Sequence, residues 1–109
     1  MSSPASHGIS LGDVYFYPNP AVRANPVLHA ETNASEVLLR IYNKAGERVH
    51  ESILRGPPAL VDDGAGLEPA YEQAWDVSGV ASDVYFFYVE ARNSGMSDVR
   101  KVGKVAIVK

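Results

Sequence analysis

Cysteine is absent from the 109-residue chain. That excludes a disulfide framework, a thiolate metal site and a cysteine nucleophile. It leaves the compartment open, because exported bacterial domains often lack cysteine too. An excess of positive charge is also missing. Ten Lys and Arg against 13 Asp and Glu give a net charge of −3, so the basic field that nucleic acid requires is not there. No apolar run approaches the roughly 18 residues of a membrane-spanning helix. No stretch shows a convincing helical period. Tryptophan occurs once, as Trp75.

What remains is ordinary for a globular domain: 46% hydrophobic and 21% charged residues. A chain of this length buries roughly two-thirds of its unfolded surface, enough for one core but little for a deep cleft. Residues 1–11 begin MSSPASHGIS, small and polar, without the apolar centre of a signal peptide. They read as a linker or an expression remnant, and residues 12–109 as one domain cut from a larger protein.

Strand signals fill that domain. Val14, Tyr15, Phe16 and Tyr17 form an aromatic run ending in Pro18-Asn19-Pro20. Proline cannot donate to a ladder, so this strand belongs on a sheet edge. Val27–Thr32 is a weaker run, with Leu28 and Ala30 turned inward. In Glu36–Asn43, Val37, Leu39 and Ile41 alternate with Leu38, Arg40 and Tyr42. Asn43-Lys44-Ala45-Gly46 then reads as a hairpin turn, with Gly46 at positive φ. The return strand, Glu47–Leu54, offers Val49 and Ile53 to the core.

Arg55–Pro69 carries three prolines and three glycines and reads as a long surface loop. Tyr71, Gln73, Trp75 and Val77 alternate next, followed by a Ser78-Gly79 turn. Val84–Ala91 is the most strand-like segment, and Tyr85, Phe87, Val89 and Ala91 share one of its faces. Asn93-Ser94-Gly95 ends it. The last strand, Val99–Val108, has Gly103 at its middle, where a bulge is expected. About seven short antiparallel strands suggest an all-β sandwich of the immunoglobulin or fibronectin type III kind, with Trp75 as core anchor and Tyr85 placed for a tyrosine corner.

Five pieces in order carry a more specific likeness. They are Tyr17-Pro18-Asn19-Pro20, Val37-x-Leu39-x-Ile41-Tyr42-Asn43-x-x-Gly46, Trp75-Asp76, Ala81-Ser82-x-Val84-Tyr85-Phe86, and the strand Lys101–Lys109. Over residues 12–109 the chain resembles the immunoglobulin-like domain of the flagellar hook-capping protein family, and the C-terminal sorting domains of type IX secretion cargo. The resemblance implies an appended, non-enzymatic module on a large exported bacterial protein. Two departures stand out. Asp83 occupies the usual glycine position, where positive φ is expected, and the Arg55–Pro69 connection is long.

Candidate chemistry is sparse. His7, His29 and His50 lack ligand spacing and read as structural or surface residues. Asp62-Asp63 with Glu68 lacks the EF-hand pattern and reads as a solvated loop. No G-x-S-x-G occurs, and Ser35, Ser78 and Ser82 lie in turns. No lysine sits in a core strand beside an acid, as an intramolecular crosslink would need. Asn33-Ala34-Ser35 matches a glycosylation acceptor by chance. No catalytic residue, metal or cofactor is therefore assigned.

Two surface features remain. Val84, Phe86 and Tyr88 point away from the Tyr85 face. They form either a partner surface or, as favoured here, a second core covered by Arg55–Pro69. Lys101, Lys104 and Lys109 give the last strand a basic finish, suited to edge protection or to recognition by an export or surface-anchoring machine. The expected function is sorting, anchoring or spacing of a parent polypeptide outside the cell or in its envelope. The alternative is a glycan- or protein-binding adhesion module using Phe86, Tyr88 and the Arg55–Pro69 loop.

Overall fold

The computed structural model describes residues 10–62, 64, 66–93 and 99–109. His7, Asp63, most of the 1–11 linker and the Ser94-Gly95 part of the expected turn lie outside the described residues. Among the described residues there are nine strands: β1 (Leu11–Tyr17), β2 (Ala21–Val22), β3 (Val27–Thr32), β4 (Glu36–Tyr42), β5 (Arg48–Arg55), β6 (Ala59–Asp62), β7 (Leu67–Ala74), β8 (Asp83–Arg92) and β9 (Val99–Val108). They form a four-stranded sheet, β1-β3-β7-β6, and a five-stranded sheet, β2-β9-β8-β4-β5. This is a sandwich, with β1 on an edge as the prolines require. Among the described residues no helix is long and apolar enough to cross a membrane.

Two strands beyond the expected seven come from short pieces. β2 is two residues long and runs parallel to β9, pairing Ala21 with Ile107 and Val22 with Val108, so the ladders are not all antiparallel. β6 lies inside the expected Arg55–Pro69 loop. Ala59–Asp62 pairs with Leu67–Ala70, making that segment a hairpin on the four-stranded sheet.

The core takes one face of each sheet. Phe16, Leu28 and Ala30 meet Val37, Leu39, Ile41, Tyr85, Phe87, Val89, Val105 and Ile107, with Trp75 among them. Phe16 packs edge-on against Phe87 at 5.2 Å, and Trp75 edge-on against Tyr85 at 5.5 Å. The tyrosine corner is formed: the Tyr85 hydroxyl donates to the Ala81 carbonyl at 2.8 Å. Gly46 stands at φ 82°. The Asn43 Oδ1 accepts from Ala45 N at 3.0 Å and from Glu47 N at 2.9 Å, closing the turn.

That turn sets a register the apolar pattern of β5 conceals. Ile41 pairs with His50 and Tyr42 with Arg48, so Val49 is the extra residue of a bulge. His50, Ser52 and Leu54 face inward. Val49 and Ile53, expected in the core, are exposed on the edge strand. Asp83 also departs from expectation. Arg23 is the only described non-glycine residue at positive φ. Asp83 instead opens β8 in extended form, accepting Val84 N at 2.7 Å and pairing with Lys44 at 3.2 Å.

Gly103 is not at a bulge. The β8–β9 ladder runs unbroken from Asp83↔Ile107 to Ala91↔Val99, with Gly103 opposite Phe87. A Cβ there would stand 2.8 Å from Phe87 Cε2 and closer still to Cζ. The ring lies over the glycine and cannot swing aside, because Phe16 packs on it. Gly103→Ala is expected to cost about 1–3 kcal/mol through this overlap. A urea melt checks it, and unchanged stability would mean that the ring relocates freely.

Candidate functional site

The outer face of the five-stranded sheet is built by alternation. With Tyr85, Phe87 and Val89 committed to the core, Val84, Phe86 and Tyr88 must face outward. Their neighbours follow from register: Tyr42 lies beside Phe86 and Arg40 beside Tyr88 on β4, while Lys104 and Val102 flank them on β9. Together Tyr42, Phe86, Tyr88, Val102 and Lys104 line an open hollow of about 410 Å³.

This face is not a second core. Val102 is 74% exposed, Phe86 41% and Val84 37%. The expected cover fails because Arg55–Pro69 pairs within the opposite sheet. The same finding separates the residues of the glycan- or protein-binding alternative: Phe86 and Tyr88 lie on one sheet, β6 on the other. Charge surrounds the apolar centre. Arg40 pairs with Glu51 at 2.9 Å, and the Tyr88 hydroxyl donates to Glu90 Oε1 at 2.7 Å. That bond, then burial, raises the Tyr88 pKa above its ordinary value, against the opposing pull of Arg100 and Arg40.

The three lysines do not form one basic surface. Lys101 and Lys109 alternate to the side opposite Lys104. The Lys101 ammonium donates to the Gly12 carbonyl at 2.6 Å, and that of Lys109 to the Val77 carbonyl. The backbone N–H of Lys109 donates to Ser82 Oγ at 2.8 Å. Both side chains tie the last strand to its surroundings. Lys104 alone of the three stands on the aromatic face.

The Tyr17-Pro18-Asn19-Pro20 motif has a structural task. Here the chain leaves the four-stranded sheet for the five-stranded one, and the prolines bring no N–H to the β9 edge. The Asn19 side chain substitutes for backbone. Its Nδ2 donates to the Lys104 carbonyl and its Oδ1 accepts from Ala106 N, both at 3.0 Å. Asn19→Ala is expected to lose about 1 kcal/mol, because water reaches the freed groups. Asn19→Asp, which keeps only the acceptor, should fall between. Urea melts of the three proteins check the order.

A third arrangement escaped the sequence reading. His29, 1% exposed on the outer face of β3, lies between two carboxylates. Its Nδ1 is 2.8 Å from Glu72 Oε2 and its Nε2 is 3.1 Å from Glu31 Oε2. Tyr15 stacks on the ring at 4.9 Å, and the Tyr17 hydroxyl donates to the same Glu72 oxygen at 3.0 Å. An imidazolium donates from both nitrogens and satisfies the arrangement. Burial alone would lower the His29 pKa, but the hydrogen bonds and charges of Glu72 and Glu31 outweigh it and the net shift is upward. The usable signal was His29-x-Glu31 alternating with inward Leu28 and Ala30, which places both polar groups on one strand face. His50 behaves oppositely, its pKa lowered by burial beside Trp75.

No family model matches the chain, and neither does any curated protein or solved structure. The functional reading therefore rests on these surfaces. Among the described residues no three His, Asp or Glu side chains converge as metal ligands. One Asp62 oxygen, Oδ1, accepts from Gly64 N at 2.9 Å.

Proposed function

We propose that the chain is a non-catalytic module of a larger exported or cell-surface bacterial protein, which sorts, anchors or spaces its parent by docking a protein partner. The observation that carries this is the uncovered row Val84, Phe86 and Val102 on the five-stranded sheet. Scattered exposed apolar residues need no explanation, but a contiguous aromatic and aliphatic centre rimmed by charge marks an interaction surface. A partner offering apolar side chains to Phe86 and Val102, and carboxylates to Lys104 and Arg100, fits it. The resemblance to hook-cap and sorting-domain sequences supports the exported setting.

Fusion to a reporter protein in the producing cell tests the reading. The fused reporter is expected at the cell exterior, and the reporter without the module is expected to stay behind. Equal recovery of both outside would contradict it. The alternative, a glycan- or protein-binding adhesion module, would draw on contact residues divided between the two sheets.

A further inference from the structure

The outer face of the other sheet holds a cavity of about 480 Å³, lined by Tyr15, Tyr17, His29, Val61, Asp62 and Glu72. Its walls are aromatic: the Tyr15 and Tyr17 rings stand 6.0 Å apart and tilt at 58° to each other, making an open corner. Its charge is predominantly negative. Asp62 and Glu72 line it, Glu31 stands directly behind His29, and the one group that can carry positive charge against these three carboxylates is the His29 imidazole. No Lys or Arg is among the lining residues.

We propose that this cavity binds an alkylammonium group, held between the Tyr15 and Tyr17 rings and the carboxylates of Asp62 and Glu72. Tyrosine faces attract a cation within about 6 Å of the ring centre, and a ring corner beside carboxylates suits an ammonium better than an anion or a neutral alcohol. When protonated, His29 neutralises one carboxylate, and negative charge is left over for Asp62 and Glu72 to present to a ligand. The groups facing His29 are Glu31 on its own strand, Glu72 on β7, and Tyr15 and Tyr17 on β1, with Asp62 across the cavity on β6. A bound cation disfavours the protonated imidazole. Ammonium binding and His29 protonation therefore oppose each other, and binding tightens as pH rises through the His29 titration.

The test is an NMR titration of the folded domain with n-butylammonium, with Nα-acetyl-lysine methylamide and with n-butanol. The two cations should shift the Tyr15, Tyr17 and His29 ring signals saturably, and should move the His29 midpoint to lower pH. Butanol should do neither. Tighter binding of the capped lysine identifies a peptide side chain as the source, whereas equal binding identifies a free amine. Tyr17→Ala and the surface change Asp62→Asn should each weaken binding about threefold, while Tyr17→Phe keeps most of it. Absence of saturation, butanol binding as well as butylammonium, or an Asp62→Asn protein that folds and binds unchanged would overturn the proposal.

Discussion

Trp75→Ala is expected to cost about 3–5 kcal/mol, the largest single-residue effect on stability. The indole is 2% exposed and follows β7, where its backbone N–H donates to the Pro26 carbonyl at 2.9 Å. From there the ring reaches across the sandwich to Tyr85 and stands 6.2 Å from Phe16. Removing it opens a cavity bordered by both sheets. Partial collapse is limited because Tyr85 is fixed at its hydroxyl by Ala81. Domains of this size carry about 5–15 kcal/mol in total, so the variant loses a large share of the total and its urea midpoint should fall accordingly. Equilibrium urea denaturation followed by circular dichroism measures it. A loss below about 1.5 kcal/mol would mean that Trp75 is peripheral to the core.

His29 gives the second large effect. Replacing it with Ala leaves Glu31 and Glu72 facing each other across a buried position. Breaking a buried ionic pair costs about 3–5 kcal/mol. Because Glu72 is 30% exposed and screened by solvent, the lower end, about 3 kcal/mol, is expected here. The pH dependence carries the sharper sign. The folded pKa of His29 lies above the ordinary 6.5, so the folded protein holds the proton more tightly. This contribution is fully present below pH 6.5 and is lost as pH rises through the folded value. His50, whose folded pKa lies below 6.5, acts on the other side: its contribution is present above 6.5 and is lost as pH falls through its folded value. The two histidines therefore place a stability maximum near pH 6.5. His29→Gln should flatten the alkaline limb alone, and His50→Gln the acidic limb alone. A series of urea midpoints between pH 5 and 8 reads both limbs, and an alkaline limb left intact by His29→Gln would refute the bridged imidazolium.

Legibility in the sequence followed the strength of local pattern. β4 and β8 alternate cleanly and are central strands, so their faces were readable, including the outward direction of Val84, Phe86 and Tyr88. β5 misled because it is an edge strand: burial there is set by the Gly46 turn and the Val49 bulge rather than by where β-branched residues fall. β6 was hidden because Ala-Leu-Val is short and lies between prolines and glycines that mark turns. Gly103 and Asn19 could not be interpreted without their cross-strand partners, Phe87 and the β9 backbone. What covers the Phe86 face was a question of tertiary placement, since it depended on which sheet takes Arg55–Pro69. The His29 bridge needed Glu72, which is 43 residues away and brought alongside only by β3–β7 pairing.

The most direct measurement compares two double variants in the exported reporter fusion. One is Phe86→Ser with Val102→Ser on the five-stranded face. The other is Leu60→Ser with Leu67→Ser, exposed apolar residues on the β6–β7 hairpin. All four positions are exposed, so both proteins should melt close to the parent temperature. The docking account predicts that only the first pair leaves the reporter behind in the cell. Normal delivery of the first pair, or equal failure of both, would contradict it.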